Sequence, residues 1–101
     1  MTEIRPLVRR GAGGGGATLT HSELVQRANA LCAVPALDLG ALEDLRPPAD
    51  DVPVFRRYLA AERALLEAED AIEHAAAEGK AEGYALRLGF ARCAERHNVD
   101  R

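Results

Sequence analysis

Cys93 and His97 stand four residues apart in "LGFARCAERHN", and the only other cysteine, Cys32, lies in "RANALCA". On a helix an i, i+4 pair projects from one face, so a thiolate and an imidazole so placed can share a metal ion. Cys32 would add a third ligand across a bundle, and His74 or His21 a fourth. The same Cys93–His97 pair has the residue types of a nucleophile and its base. Two plainer chemistries compete, a disulfide between the cysteines and two reduced thiols in a core. No CxxC or HxxxH unit is present. Cys93 also shares an apolar stripe with Leu86 and Phe90, the wrong setting for an exposed, activated thiolate. His97 by itself reads as a histidine near a helix C-terminus, favoured there by the helix dipole.

Five carboxylates, Glu62, Glu67, Glu69, Asp70 and Glu73, crowd one stretch and raise the question of a di-metal site. Such a site needs Glu-x-x-His, whereas His74 directly follows Glu73. They are expected on a solvated helix face, with Glu62 and Arg63 available for surface pairing and Glu69 nearer the core. Neither a cofactor nor catalysis is expected.

The elements that must position these residues are helical. Thr20 and Glu23 have capping-box spacing, and Leu24, Ala28, Leu31 and Cys32 then mark one face of a first helix over roughly 21–33, stopped by Pro35. Leu39, Leu42 and Leu45 belong to a connector in which Asp38 caps a short turn of helix, and Pro47–Pro48 forces the chain extended. Asp50 or Asp51 caps a second helix with Pro53 in its first turn. No Gly or Pro interrupts it before Gly79, and Val52, Phe55, Leu59, Leu66, Ile72 and Ala76 drift around one broad face. After a turn at "GKAEG", a third helix over roughly 81–97 carries Leu86, Phe90, Cys93 and His97, with Tyr84, Leu88 and Ala91 in an adjacent row. Gly89 is expected to weaken this helix or to admit a close neighbour. The expected fold is all-α: a three-helix bundle over 19–98, its short first helix packed on a long antiparallel hairpin. Residues 1–18, with "GAGGGGAT", read as a flexible arm or linker; no lysine followed by serine or threonine closes a phosphate loop.

The chain has 101 residues, 48% hydrophobic and only 4% aromatic, so its core is built largely of alanine and buries little area per residue. Its formal charge of −3 gives no field to draw it to nucleic acid, and the acidic second helix disfavours a helix-turn-helix. No run approaches a membrane span. No apolar h-region opens the sequence, which read literally means cytosol. Membrane proximity is expected only through an anchor upstream of the glycine-rich tether. Tyr84 and Leu88 are the candidate surface for a protein partner or for self-association.

"LTHSELVQRANALCA", "LRPPADDVPVFRRYLAAERALLEAEDAI" and "YALRLGFARCA", in that order, resemble a group of small helical secreted proteins or lipoproteins of high-GC actinobacteria. Ala28, Ala30 and Cys32 match the group's "A-x-A-x-C" segment, Pro47, Pro48 and Ala49 its connector, and Leu88, Gly89, Phe90 and Cys93 its closing motif. The resemblance covers about residues 19–95. It implies a Cys32–Cys93 disulfide, an extracytoplasmic location and a non-enzymatic structural or interaction role. The alternative is a cytosolic adaptor or regulator with reduced thiols that acts by self-association or partner binding; a metal-binding or thiol-redox protein ranks third.

Overall fold

The computed structural model describes residues 17–98, and all regular structure among them is helical. The order is α1 His21–Cys32, α2 Leu39–Glu43, a 3-10 turn Ala49–Asp51, α3 Val52–Glu67, α4 Ala71–Leu88 and α5 Ala91–Asn98. Helices α3 and α4 form the antiparallel hairpin; α5 packs on α4 and on α1, while α2 bridges α1 and α3. This is the all-α bundle expected from the sequence, divided differently. The arm assigned to residues 1–18 falls almost wholly outside the described residues.

Local chemistry explains each boundary. The Thr20 hydroxyl accepts the Glu23 N–H, and the Glu23 carboxylate accepts the Thr20 N–H, so the capping box starts α1 as expected. Asp38 caps α2 by accepting the Ala41 N–H. Asp51 precedes α3 without capping it, and its carboxylate instead pairs with His21 Nδ1 at 2.6 Å. Leu19 N–H donates to the Arg46 carbonyl at 2.8 Å, tying the entry of α1 to the end of the connector.

Two boundaries correct the sequence reading. The second helix does not run to Gly79; it ends at Glu67, and Ala68 is extended. Asp70 then accepts the Glu73 N–H, and Glu73 Oε1 accepts the Glu69 N–H, so two acidic side chains cap the start of α4. The "GKAEG" stretch is therefore inside α4, and the hairpin turn lies at 68–70. Gly79 and Gly83 sit mid-helix with open space where a Cβ would be, each costing about 1 kcal/mol of helix propensity relative to alanine. Gly89 is the true stop. It is left-handed, at φ 87°. Gly89 N–H donates to the Leu86 carbonyl and Phe90 N–H to that of Ala85, the Schellman pattern. The expected third helix is thus split into α4 and α5.

Gly89→Ala is expected to lower stability by at least about 1 kcal/mol, because alanine pays for a left-handed backbone that glycine adopts freely. The check is a urea midpoint beside Gly79→Ala, whose site is helical and open. Equal effects of the two substitutions would contradict the assignment of the stop.

The core is thin and rich in alanine. Leu24, Ala28, Leu42, Phe55, Tyr58, Ala61, Ala81, Ala85, Leu88, Phe90 and Ala94 are buried together with both cysteines. Phe90, set inward by the turn at Gly89, packs edge-on against Phe55 and Tyr58 at ring distances of 6.2 and 5.7 Å. The inward face of α3 runs through Phe55, Tyr58, Ala61 and Glu62. Leu66 and Ile72, expected on the buried face, are 74% and 83% exposed because the chain reverses between them. Leu86, expected to share the stripe of Phe90 and Cys93, is also exposed, since the break at Gly89 separates it from them.

Candidate functional site

Cys32 ends α1 and Cys93 lies in the first turn of α5, and the two are joined in a disulfide with Cα atoms 5.0 Å apart across a sequence separation of 61. Both residues are buried. Leu24, Ala28 and Cys32 recur every fourth residue on the inward face of α1, while Asn29 Oδ1 accepts the Arg92 N–H at 2.9 Å and so fixes the start of α5 beside it. Three backbone carbonyls at and after the C-terminus of α1, those of Cys32, Val34 and Pro35, accept hydrogen bonds from Arg96. A cation at that end also complements the helix dipole. Cys93 Sγ lies 3.5 Å from the Ala28 carbonyl oxygen; a disulfide sulfur carries no hydrogen, so this is packing.

One turn beyond Cys93, His97 enters the interior and meets Glu62. Its Nε2 is 2.8 Å from Glu62 Oε2, which also accepts the Tyr58 hydroxyl at 2.7 Å. Tyr58 and Glu62 are i, i+4 on α3, so one helix supplies both. A carboxylate oxygen that accepts from two donors satisfies them together, which is what makes burial of Glu62 and His97 tolerable. His97 Nδ1 faces Glu78 Oε2 at 3.9 Å, and the Tyr58 oxygen lies 3.9 Å from Cys32 Sγ. Burial pushes the Tyr58 phenol well above its ordinary range, helped by the charge and hydrogen bond of Glu62 and weakly opposed by Arg96. Tyr58 therefore keeps its proton and serves as a donor.

Glu62, Glu78, Arg96 and His97 also line a cleft of about 440 Å³, walled by Leu37, Leu39 and Leu65 and rimmed by His74. The cleft offers no free thiol, because both sulfurs are bonded to each other.

The structure brings together Cys32, Cys93 and His97, but as a staple with a histidine one turn away. The metal candidacy of these three is corrected, since sulfurs in a disulfide are not thiolate ligands. Among the described residues no group of three His, Cys, Asp or Glu is placed to hold a metal ion. His21 pairs with Asp51, 11 residues before Glu62, about 16 Å along a helix. The surface assigned to Tyr84 and Leu88 is corrected as well. Leu88 is 3% exposed and Tyr84 half-buried against the core, because the inward row of α4 is Ala77, Ala81, Ala85 and Leu88. Glu62, assigned to the solvated face, is 5% exposed. Glu69, expected nearer the core, is exposed. Arg63 pairs with Glu43 of α2.

Tyr58, Asn29 and Arg96 were not singled out from the sequence. Tyr58 had a signal: it falls three residues after Phe55 and four before Glu62, on one helical face.

The contribution of Tyr58 to stability should be constant with rising pH until about pH 10, where an unfolded tyrosine titrates. Above it, stability should fall, because the unfolded chain loses the proton that folded Tyr58 retains. Urea midpoints across this range for wild type and Tyr58→Phe are the check, and the alkaline loss should shrink in the variant. Parallel curves would contradict the burial of an ionisable phenol at this position.

No protein family, curated protein or solved structure matches the chain.

Proposed function

We propose that this chain is a small disulfide-stapled helical module that acts by interaction, without catalysis, in an oxidising extracytoplasmic compartment. The observation that carries the reading is the buried Cys32–Cys93 bond between the first and last helices. Disulfides form and persist where the environment oxidises, and they matter most where a core is small. The alanine-rich core fits that need. Burial of both sulfurs also speaks against a redox-exchange role, which requires access for an attacking thiolate. The Glu62 carboxylate, engaged by two donors in the interior, supports fold specificity better than proton transfer to a substrate. The resemblance to secreted and lipoprotein-like helical proteins points the same way.

The test is fractionation of the cells that make the protein, with acid quenching and thiol alkylation before lysis. Recovery outside the cytoplasm with both cysteines protected is the expected result. A cytosolic protein carrying two alkylated thiols would overturn the reading in favour of an adaptor with reduced cysteines. Among the described residues no helix is long and apolar enough to cross a membrane, so any membrane tether would lie elsewhere in the protein.

A further inference from the structure

Two buried polar atoms in the cleft beside α3, α4 and α5 receive no hydrogen bond from any described residue. The His97 side chain is 6% exposed, and its Nε2 is committed to Glu62 Oε2. Its Nδ1 faces Glu78 Oε2 at 3.9 Å, beyond hydrogen-bond reach. Glu62 is 5% exposed, and Tyr58 and His97 both address its Oε2, which leaves Oε1 without a donor. Glu78 is largely buried as well, and among the described residues it has no closer polar partner than His97. Glu62, Glu78 and His97 line the same cleft of about 440 Å³. Buried polar groups are ordinarily hydrogen-bonded, so atoms left over in a cleft indicate the chemistry of what the cleft can hold.

With the Nε2 proton donated to Glu62, Nδ1 of the neutral ring presents a lone pair. A lone pair and a carboxylate facing each other are two acceptors, and a group that settles between them must bring donors. A donor nitrogen about 2.8 Å from each spans the 3.9 Å gap. Charge favours a cationic one. Glu62 and Glu78 supply two negative charges, while Arg96, the guanidinium on the same cleft, has its terminal nitrogens turned to the carbonyls of Cys32, Val34 and Pro35. A metal ion would need a third ligand, and no group of three among the described residues is placed to hold one. Leu37, Leu39 and Leu65 give an alkyl stem an apolar wall. We propose that this cleft binds a primary alkylammonium group, its N–H donors shared by His97 Nδ1 and Glu78 and its stem against the leucines. A free amine and the lysine side chain of a partner both carry that group. The site lies apart from the staple and goes beyond the reading of the chain as a stapled module.

The test is a titration of the full oxidised chain with n-butylammonium, followed by NMR in phosphate buffer at about pH 8, where a primary alkylamine is charged. Saturable one-to-one binding is expected, with a Kd on the order of millimolar and shifts centred on His97 and Glu78. Butyltrimethylammonium has the same charge and no N–H, so it should bind at least about tenfold more weakly. Glu78→Gln should weaken butylammonium by at least about tenfold, with unchanged far-UV circular dichroism and melting. Glu67→Gln removes the same charge from an exposed residue outside the cleft, and it should bind like wild type. Nα-acetyl-lysine amide separates the two sources. Binding as tight as butylammonium assigns the site to a partner's lysine, and exclusion assigns it to a free amine. No saturation below about 100 mM would overturn the proposal. So would equal binding of the quaternary ion, equal losses in the two glutamine variants, or imidazole shifts showing His97 protonated on both nitrogens in the free protein. Thiol state read on the same samples keeps the readings apart: oxidised protein that does not bind overturns the amine site alone, and binding by a protein with free thiols overturns the staple alone.

Discussion

Replacing both cysteines, Cys32→Ala with Cys93→Ala, is expected to cost about 4 kcal/mol, the chain-entropy value for a loop of about 60 residues. For a domain of this size, total stability is on the order of 5–15 kcal/mol, so the loss takes a large share. It should appear as a fall in Tm of roughly 20 °C, given about 4–8 °C per kcal/mol for small domains. Reductant should act on wild type in the same direction once unfolding exposes the buried sulfurs. The effect should be large here because the bond joins the two ends of the fold, α1 and α5. Among the described residues, the polar links between those ends are the Asn29–Arg92 contact and the Arg96 clamp on the end of α1. Calorimetry of oxidised, reduced and double-alanine protein is the check, and a shift of only a few degrees would show that core packing alone holds the ends together.

The second large effect is expected at Glu62. Glu62→Ala removes the acceptor shared by Tyr58 and His97 and strands two buried donors. Breaking one side of a buried charged network costs about 3–5 kcal/mol. Replacing the whole network is a different experiment. Tyr58→Phe, Glu62→Leu and His97→Leu together leave no polar group to satisfy, and such swaps are often neutral or stabilising. The triple variant should therefore recover most of what Glu62→Ala loses. Chemical denaturation of the two proteins would contradict this account if Glu62→Ala cost under about 1 kcal/mol, or if the triple variant were the less stable.

The sequence carried the parts of the fold that local chemistry decides. Thr20 and Glu23 announced α1, Asp38 announced α2, and the four-residue recurrence of Leu24, Ala28 and Cys32 put the first cysteine inside. It misled where several residues of one type competed for one role. Gly79, Gly83 and Gly89 are alike as helix breakers, and only the packing of Phe90 against Phe55 and Tyr58 decides which of them ends α4. The turn at 68–70 was legible in principle. Asp70 and Glu73 repeat the spacing of Thr20 and Glu23, but they sit inside an alanine-rich run with no Gly or Pro to draw the eye.

The candidate site was legible by halves. The stripe of Leu86, Phe90, Cys93 and His97 put a thiol and an imidazole on one face, but His97 by itself read as a histidine at a helix C-terminus, and the structure buries it with Cys93 while leaving Leu86 exposed. Their partners were hidden because Glu62 lies in a run of carboxylates, most of which do face solvent. Its burial follows from tertiary geometry: once the disulfide brings α5 against α1, His97 is carried to the inward face of α3. The same geometry buries Leu88 and turns Ile72 and Leu86 outward.

The central claim is that a bond between Cys32 and Cys93 holds the first and last helices together. It is tested most directly by intact mass of the purified protein, denatured and alkylated without reductant, beside a reduced and alkylated control. The account predicts an unlabelled chain, two hydrogens lighter than the free dithiol, with two labels appearing only after reduction. Two labels without reductant would contradict it.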